Sequence, residues 1–236
     1  TGRALLGRAG TQTAALGIGG FLYPGPPYVT GKVESYNGSG WSEGPDINTS
    51  RYGMQGDGTQ TAAIIAGGIS PAPPNEFHNE TETYDGSSWT TSPNTINTTR
   101  GYLGHAGGPA ASTASLIFGG RIGGPATTNA SESWNGTSWT ATPNLNSSGW
   151  GRYGCGTTTA ALATGLTPPA SGTTEEYNGS SWTAVTSNTA GRAFRGVAGI
   201  QTAALAFGAD VPTITTTEAY DGTNWSAKPA LATARG

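Results

Sequence analysis

The stretch ETYDGSSWTT, residues 82–91, recurs in close variants along the chain. The variants are ESYNGSGWSE (34–43), ESWNGTSWTA (132–141), EEYNGSSWTA (175–184) and EAYDGTNWSA (218–227). In each of them an Asn-Gly or Asp-Gly pair stands between two runs that are typical of β-strands. A type I′ turn needs positive φ at both central positions, and these residue pairs tolerate it. Each phrase therefore predicts a tight β-hairpin.

Every hairpin carries a glutamate, an aromatic residue and a tryptophan at the same places. The glutamates are Glu34, Glu82, Glu132, Glu175 and Glu218; the aromatics are Tyr36, Tyr84, Trp134, Tyr177 and Tyr220; the tryptophans are Trp41, Trp89, Trp139, Trp182 and Trp225. They could form five equivalent ligand sites. We favour a structural role, because charged groups near a sheet interior are normally paired and a repeated large aromatic most often fills the wedge between neighbouring sheets.

The hairpins are one part of a longer repeat. The steps from Tyr36 to Tyr84, Trp134, Tyr177 and Tyr220 are 48, 50, 43 and 43 residues, within the range typical of propeller blades. A small-residue apolar strand such as TQTAAIIAGG precedes each hairpin, and a strand opened by arginine precedes that. The opening residues are Arg3, Arg51, Arg100 and Arg192, with Gly149 in place of arginine in the fourth unit. Each unit thus holds four strands.

This repeat predicts an all-β fold, a five-bladed β-propeller with four antiparallel strands per blade. The blades are predicted at about 1–47, 48–97, 98–147, 148–189 and 190–236, in one domain. The final LATAR, with Arg235, matches the segment that precedes a blade, and the opening TGR, with Arg3, supplies the same arginine. One circuit is therefore complete within the chain, and we expect closure without a swapped strand. The start at Thr1 indicates a processed product or a segment of a longer polypeptide.

The chain resembles the kelch-repeat β-propeller family. The residues that carry the resemblance are the glycine pairs Gly19-Gly20, Gly67-Gly68 and Gly119-Gly120, the tyrosine and tryptophan of each hairpin, and the arginine that opens the next blade. Leu166 and Ala209 replace the second glycine in the last two units, and the turn between tyrosine and tryptophan is short. The phrasing also resembles kelch-like tandem repeats in virion and tail proteins of tailed phages, especially marine ones. That resemblance implies a virion or extracellular location.

Composition excludes several classes of function. Charged residues make up 11% of the chain, the net charge is −3, and no basic cluster indicates a nucleic-acid surface. No apolar stretch is long enough to insert into a membrane as a helix. His78, His105 and the single Cys155 supply neither a metal cluster nor a catalytic set. We therefore predict no enzyme activity, no cofactor and no metal, with His105 lining the central channel and Cys155 buried in a strand.

The segments that follow the glycine pairs differ in every unit, unlike the uniform hairpins. In the predicted topology they share one face with the loops that join the blades, and variable loops on one face of a repeat protein usually mark its binding face. The candidate binding residues on that face are Phe21, Tyr23, Tyr28, Phe77, His78, Arg121 and Trp150. Alternatively, these proline-rich loops simply pack over their own blades.

Two functions fit this pattern. The first is a non-enzymatic binding and display module of a phage virion or tail, with a host-surface glycan or protein, or another virion protein, as its partner. The second is a soluble carbohydrate-binding propeller with equivalent pockets between its blades. A single irregular cluster of aromatic loops favours the first, whereas repeated polar residues with aromatic walls favour the second.

Overall fold

Four-stranded antiparallel sheets form the blades of this protein, and they surround a central channel. The structure, a computed structural model, describes residues 2–71, 74–108, 112–167, 171–189, 196–210 and 213–234. Each blade is one four-stranded sheet, and its strands pair in chain order from the inner strand to the outer one. The loops of blades one to three carry additional short strands that lie outside these sheets. The inner strands of all five blades line the channel. The predicted all-β, five-bladed propeller is confirmed, and within the described residues each blade consists of consecutive strands without exchange.

The strands lie as follows. Blade one contains β1 (Arg3–Ala4), β2 (Gly7–Gly10), β3 (Ala15–Ile18), β4 (Phe21–Leu22), β5 (Val33–Tyr36) and β6 (Trp41–Gly44). Blade two contains β7 (Gln55–Gly58), β8 (Ala63–Ala66), β9 (Ile69–Ser70), β10 (Glu76–Phe77), β11 (Thr81–Tyr84) and β12 (Trp89–Thr91). Blade three contains β13 (Gly104–Ala106), β14 (Ser115–Phe118), β15 (Arg121–Gly123), β16 (Ala126–Thr127), β17 (Ser131–Trp134) and β18 (Trp139–Thr142).

The last two blades have fewer and longer strands. Blade four contains β19 (Tyr153–Gly156), β20 (Ala161–Leu166), β21 (Ser171–Tyr177) and β22 (Trp182–Val185). Blade five contains β23 (Gly196–Ile200), β24 (Ala203–Asp210), β25 (Thr213–Tyr220) and β26 (Trp225–Lys228).

The second glycine of each pair explains this difference between the blades. In blade two Gly68, the second glycine after β8, has a φ of 116°, and a Cβ there would lie 3.0 Å from Cδ of Arg51 and 3.2 Å from the carbonyl oxygen of Tyr52 at the opening of the same blade. Leu166 and Ala209 replace the second glycine in blades four and five, and there the strand continues past a register shift into one long hairpin. The substitutions change the blade edges and leave the four-stranded sheets intact.

The predicted hairpins are confirmed, but the predicted turn type is wrong. Tyr84 pairs with Trp89, so the loop has four residues, and only Gly86 has positive φ, at 95°. The Asp85 carboxylate accepts hydrogen bonds from the backbone N–H groups of Ser87 and Ser88, both at 2.8 Å. Bonds from the Ser87 hydroxyl and from these N–H groups lower the pKa of Asp85 to about 2. The side chain thus stabilises a turn that does not need positive φ at Asp85.

Replacement of Gly86 by Val is expected to lower the free energy of unfolding by about 1–3 kcal/mol, because a β-branched residue is strained at this φ. The added Cβ would also lie 3.2 Å from the carbonyl oxygen of Thr61. The measurement is chemical denaturation. Gly40→Val in the first hairpin is the matched control, since nothing lies within 4 Å of its Cβ position and its φ is not positive. Equal losses in the two variants would contradict this account of the turn.

The repeated glutamates pair with arginines near the blade openings, in keeping with the structural role expected for them. The distances are 2.8 Å for Arg51–Glu82, 2.7 Å for Arg100–Glu132 and 3.0 Å for Arg152–Glu175, and Arg3 pairs with Glu34. The assignment of Gly149 as the fourth blade's position without an arginine needs correction, because Arg152 reaches Glu175 from three residues further along. Glu218 is buried and accepts a 3.0 Å bond from the Thr189 N–H. Arg192 and Arg235 lie outside the described residues.

The tryptophans fill the wedges between blades at four of the five positions. Trp89, Trp139, Trp182 and Trp225 are only 6–8% exposed, each in a cluster with apolar residues of the preceding blade. Trp139 and Trp225 also donate their indole N–H to the hydroxyls of Thr81 and Thr174 in that blade. Trp41, in blade one, is 56% exposed. The predicted role of filling the wedge between blades therefore applies to these four tryptophans and does not apply to Trp41.

Candidate functional site

The variable-loop face of the propeller is built where each blade-to-blade loop meets the segment after a glycine pair. Isolated bridges join Tyr52 to Ile69, Gly101 to Arg121 and Trp150 to Thr167. In blades one to three the loops add two-stranded sheets, β1 with β4, β9 with β10 and β15 with β16. These pairings hold the irregular loops against the inner ends of the blades. The loops therefore have a defined surface around the mouth of the channel.

A continuous row of aromatic rings crosses this face. The centroid of Phe21 lies 4.7 Å from that of Tyr23 and 5.1 Å from that of Tyr52. From Tyr52 the row continues to Tyr102 at 6.0 Å, and Tyr102 lies 5.0 Å from Trp150. The row thus runs through blades one, two, three and four, with ring spacings typical of interacting aromatic pairs. Tyr28 also stacks on Phe21, at 6.0 Å.

Exposure changes along this row. Tyr23 is 70% exposed and Tyr28 is 47% exposed, whereas Tyr52 is buried at 6%. Burial, together with the neighbouring Tyr52 and its hydrogen bond, raises the pKa of the Tyr102 hydroxyl. Tyr102 is therefore a neutral phenol at physiological pH. The row has a solvent-facing end in blade one that rests on a packed interior.

Strained backbone surrounds the channel mouth beneath the row. Leu5, Gly53, Tyr102 and Gly151 occupy matching places in four blades, with φ of 55°, 62°, 55° and 68°. Backbone hydrogen bonds link them in sequence, from Gly53 to Leu5 at 2.8 Å, Tyr102 to Gly53 at 2.7 Å and Gly151 to Tyr102 at 3.2 Å. Positive φ in Leu5 and Tyr102 is unfavourable, and strain of this kind concentrates at functional sites. A cavity of about 310 Å³ lies against these residues.

The structure brings together only some of the predicted binding residues. Phe21, Tyr23 and Tyr28 form one cluster, and Trp150 joins it through Tyr52 and Tyr102. Phe77 is half-buried on β10, opposite Ile69. His78 is buried, with Nε2 at 2.7 Å from the Ser70 hydroxyl and Nδ1 at 2.9 Å from Glu80, so it presents no surface to a partner. Arg121 is half-buried and donates to the Gly124 carbonyl oxygen.

Tyr52 and Tyr102 are the residues that sequence reasoning missed. They stand one and two positions after the blade-opening Arg51 and Arg100. The units of blades two to five each carry an aromatic residue at one of these two places, whereas blade one holds Ala4 and Leu5. That recurring aromatic is the signal in the sequence that points to them.

The channel holds few groups that could do chemistry. His105 lines it, as predicted, and its Nδ1 lies 2.8 Å from an Asp57 carboxylate oxygen whose partner oxygen accepts a 2.6 Å bond from Ser115. This pair joins blades two and three. Cys155 is buried, and burial raises the pKa of its thiol to about 12. Among the described residues no three His, Cys, Asp or Glu side chains are grouped as a metal site would require, and no helix occurs there that is long and apolar enough to cross a membrane.

Comparison with known proteins gives the fold and no family. No protein-family description matches the sequence, and no curated protein resembles it significantly. Among solved structures, 182 chains are similar. One is YjhT, a β-propeller, which superimposes with a TM-score of 0.78 at 11% sequence identity over 96% of this chain and 84% of YjhT. At that identity the likeness concerns the propeller alone, so function has to be argued from the surface.

Proposed function

We propose that this chain is a non-enzymatic binding and display module of a phage virion or tail-associated protein, engaging its partner through the variable-loop face. The partner is a host-surface glycan or protein, or another virion protein. The observation that supports this most is the aromatic row from Tyr23 to Trp150. Its exposed end, formed by Phe21, Tyr23 and Tyr28, belongs to the irregular loop of blade one, and the row continues through Tyr52, Tyr102 and Trp150 at the blade openings. The row therefore lies outside the four-stranded sheets of the blades.

The row has the properties of an interface. Rigid aromatic side chains bury a large area at a small entropic cost and are enriched among the residues that dominate binding energy. Tyr23 and Tyr28 present this area to solvent, and the buried Tyr52 packs beneath them and supports the exposed rings. A preorganised surface loses less entropy when a partner binds. These features suit attachment in the virion or extracellular location that the sequence resemblance implies.

The alternative is a soluble lectin with repeated sugar sites between the blades. It needs exposed aromatic walls at equivalent positions, since a sugar ring packs on an aromatic face. Four of the five repeated tryptophans are 6–8% exposed and are therefore already covered by the neighbouring blade. Only Trp41 offers its ring to solvent. This burial favours the display function over a multivalent lectin.

The triple variant Tyr23→Ser, Phe77→Ser, Trp150→Ser is expected to weaken attachment by about 30-fold or more, the loss typical of interface hot spots. The measurement is binding of wild type and variant to candidate host envelopes, to isolated virion proteins and to a glycan panel. Thermal melts report folding. Thr137→Ala with Thr223→Ala, on the opposite face, is the control and should bind as the wild type does.

Phe77 and Trp150 are half-buried, so their loss could act through stability. The double variant Tyr23→Ser, Tyr28→Ser removes only exposed rings and separates the two effects. Full envelope binding by both folded variants would refute the display proposal. Glycan binding at several equivalent sites in the wild type, retained by both variants, would instead support the lectin.

A further inference from the structure

The seam between blade five and blade one differs from the other four contacts between blades. We define the seam as the face of blade one with Leu6, Arg8, Gln12 and Trp41 together with the face of blade five with Ala198, Leu205 and Thr217. Three seam residues are far more exposed than their counterparts in the packed contacts. Leu6 is 36% exposed against 1% for Met54 and 0% for Leu103; Leu205 is 39% exposed against 0–3% for Leu16, Ile64, Leu116 and Leu162; Trp41 is 56% exposed against 6–8% for the other repeated tryptophans.

Two kinds of polar contact, each found in two of the four packed contacts, are absent from the described residues of the seam. Gln60 of blade two donates its amide to the carbonyl oxygens of Ala15 and Tyr36 in blade one, at 3.4 and 2.6 Å. Gln201 of blade five does the same to Ala161 and Tyr177 in blade four, at 3.1 and 2.8 Å. Gln12 holds the matching place in blade one. It is exposed and has no hydrogen-bond partner among the residues that the structure describes.

One hydrogen bond is not formed at the seam although both its donor and its acceptor are present there. Trp139 and Trp225 donate to Thr81 and Thr174 across their contacts, at 2.8 and 3.2 Å, whereas the buried indole N–H groups of Trp89 and Trp182 have no partner in the described part of the chain. By strand register Thr217 is the counterpart of Thr81 and Thr174. Its hydroxyl is buried and lacks a partner in the described part of the chain. Trp41, the matching donor, stands exposed on the opposite side of the seam.

The open seam leads into the central channel. One cavity of about 540 Å³ is lined by inner-strand residues of all five blades, which include Arg8 and Ala198 of the seam, and by the seam residues Leu6 and Trp41. A volume of this size suits a small-molecule ligand. The channel is therefore reached from the side of the propeller, between two blades.

We propose that the seam is a lateral gate of the channel. In its closed state Trp41 packs on blade five and donates to Thr217, and Gln12 donates to the carbonyl oxygens of Ala204 and Tyr220, as its counterparts do in the packed contacts. Closure buries Leu6 and Leu205 and removes the side opening. Both faces belong to one chain, so the closed contact forms at a high effective concentration. The gate does not use the exposed rings of the variable-loop face, although Leu6 and Arg8 also line the cavity beneath the aromatic row.

A disulfide across the seam tests this proposal. Asp57 and His105, whose side chains meet at 2.8 Å between blades two and three, have Ala198 and Arg8 as their counterparts at the seam. Arg8→Cys with Ala198→Cys should therefore form an intramolecular disulfide when the gate closes under oxidised glutathione. Arg8→Cys with Ala141→Cys, on the outer strand of blade three, is the control and should not. Cys155 is buried with a raised thiol pKa and competes little.

The linked and reduced forms of the same protein then report on the opening. The probe is 1-anilinonaphthalene-8-sulfonate, which fluoresces on exposed apolar surface. We expect its fluorescence to be about threefold lower in the linked form, because Leu6, Trp41 and Leu205 are then covered. Disulfides that join only separate molecules, or none in a folded protein, would overturn the gate, and the first outcome would identify the seam as a contact between copies.

A measurement without introduced cysteines keeps the proposal testable should the double variant fail to fold. Osmolytes such as sucrose favour burial of surface. Acrylamide quenching of wild-type tryptophan fluorescence should therefore decrease as sucrose closes the gate, after correction for viscosity with free tryptophan. Trp41→Phe should show no such decrease. Equal behaviour of the two proteins would contradict closure.

Discussion

Replacement of Glu82 by Gln is expected to lower the free energy of unfolding by about 3–5 kcal/mol, since it leaves a buried guanidinium without its counter-charge. Arg51 and Glu82 are both 0% exposed and lie 2.8 Å apart. Burial lowers the pKa of Arg51, and the charge of Glu82 acts against that shift. The second carboxylate oxygen accepts a 2.7 Å bond from the Asn48 N–H, which fixes the loop between blades one and two. Gln keeps the size of the side chain and removes the charge.

The exposed pair Lys32–Glu43 provides the matched control. Its atoms are 4.0 Å apart and its side chains are 51% and 72% exposed. Glu43→Gln should change the free energy of unfolding by about 0–1 kcal/mol, as solvent screens such a pair. Urea denaturation at neutral pH measures the change in the free energy of unfolding for both variants.

Removal of both partners gives a further check. The double variant Arg51→Met, Glu82→Leu should be more stable than Glu82→Gln, because no uncompensated charge remains in the core. A Glu82→Gln protein as stable as Glu43→Gln would show that the repeated ion pair is not what holds the inner loops.

The blades could be predicted from the sequence because their determinants are local and repeated. A turn residue, an aromatic and a tryptophan within ten residues define a hairpin, and five copies remove the ambiguity of any one. The turn type was wrong because the Asp85 carboxylate bonds to Ser87 and Ser88 and so changes the backbone that the residue pair alone would favour. The conformational preference of an Asp-Gly pair alone does not include these side-chain hydrogen bonds.

Two features of the site depend on side-chain reach and on distant contacts. Arg152 places its guanidinium where Arg51 and Arg100 place theirs, but from a later position, since a long side chain allows several starting points. Tyr52 and Tyr102 meet Phe21 and Trp150 only after four blades have assembled. A pattern read along one chain does not contain those neighbours.

The seam could not be predicted for a different reason. The repeat gives blade one the same tryptophan, and nearly the same apolar strand, as the packed blades, so the sequence predicts five equivalent contacts. Whether the last contact packs depends on how five wedge angles add up around the ring. That sum is a property of the whole ring, so it cannot be predicted from the residues of any single repeat.

The tryptophans therefore allow a comparison in which the local sequence is nearly constant and only the packing differs. Trp139→Ala is expected to lower the free energy of unfolding by about 3–5 kcal/mol, the usual loss for a large buried aromatic. It removes a ring that is 8% exposed and the 2.8 Å bond to Thr81. Trp89→Ala should fall in the same range.

Trp41→Ala should lower the free energy of unfolding by only about 1 kcal/mol, which is the contribution of one aromatic pair. Trp41 is 56% exposed, and its ring contact is Tyr36 of its own hairpin, at a centroid distance of 5.2 Å. Every repeated tryptophan has such a partner, for example Trp134 at 5.4 Å from Trp139, so this contribution cancels in the comparison. The difference between the two variants measures what packing against the preceding blade contributes. A Trp41→Ala loss as large as that of Trp139→Ala would mean that the seam is closed for nearly all molecules in solution, since only a packed contact stabilises the chain by that amount.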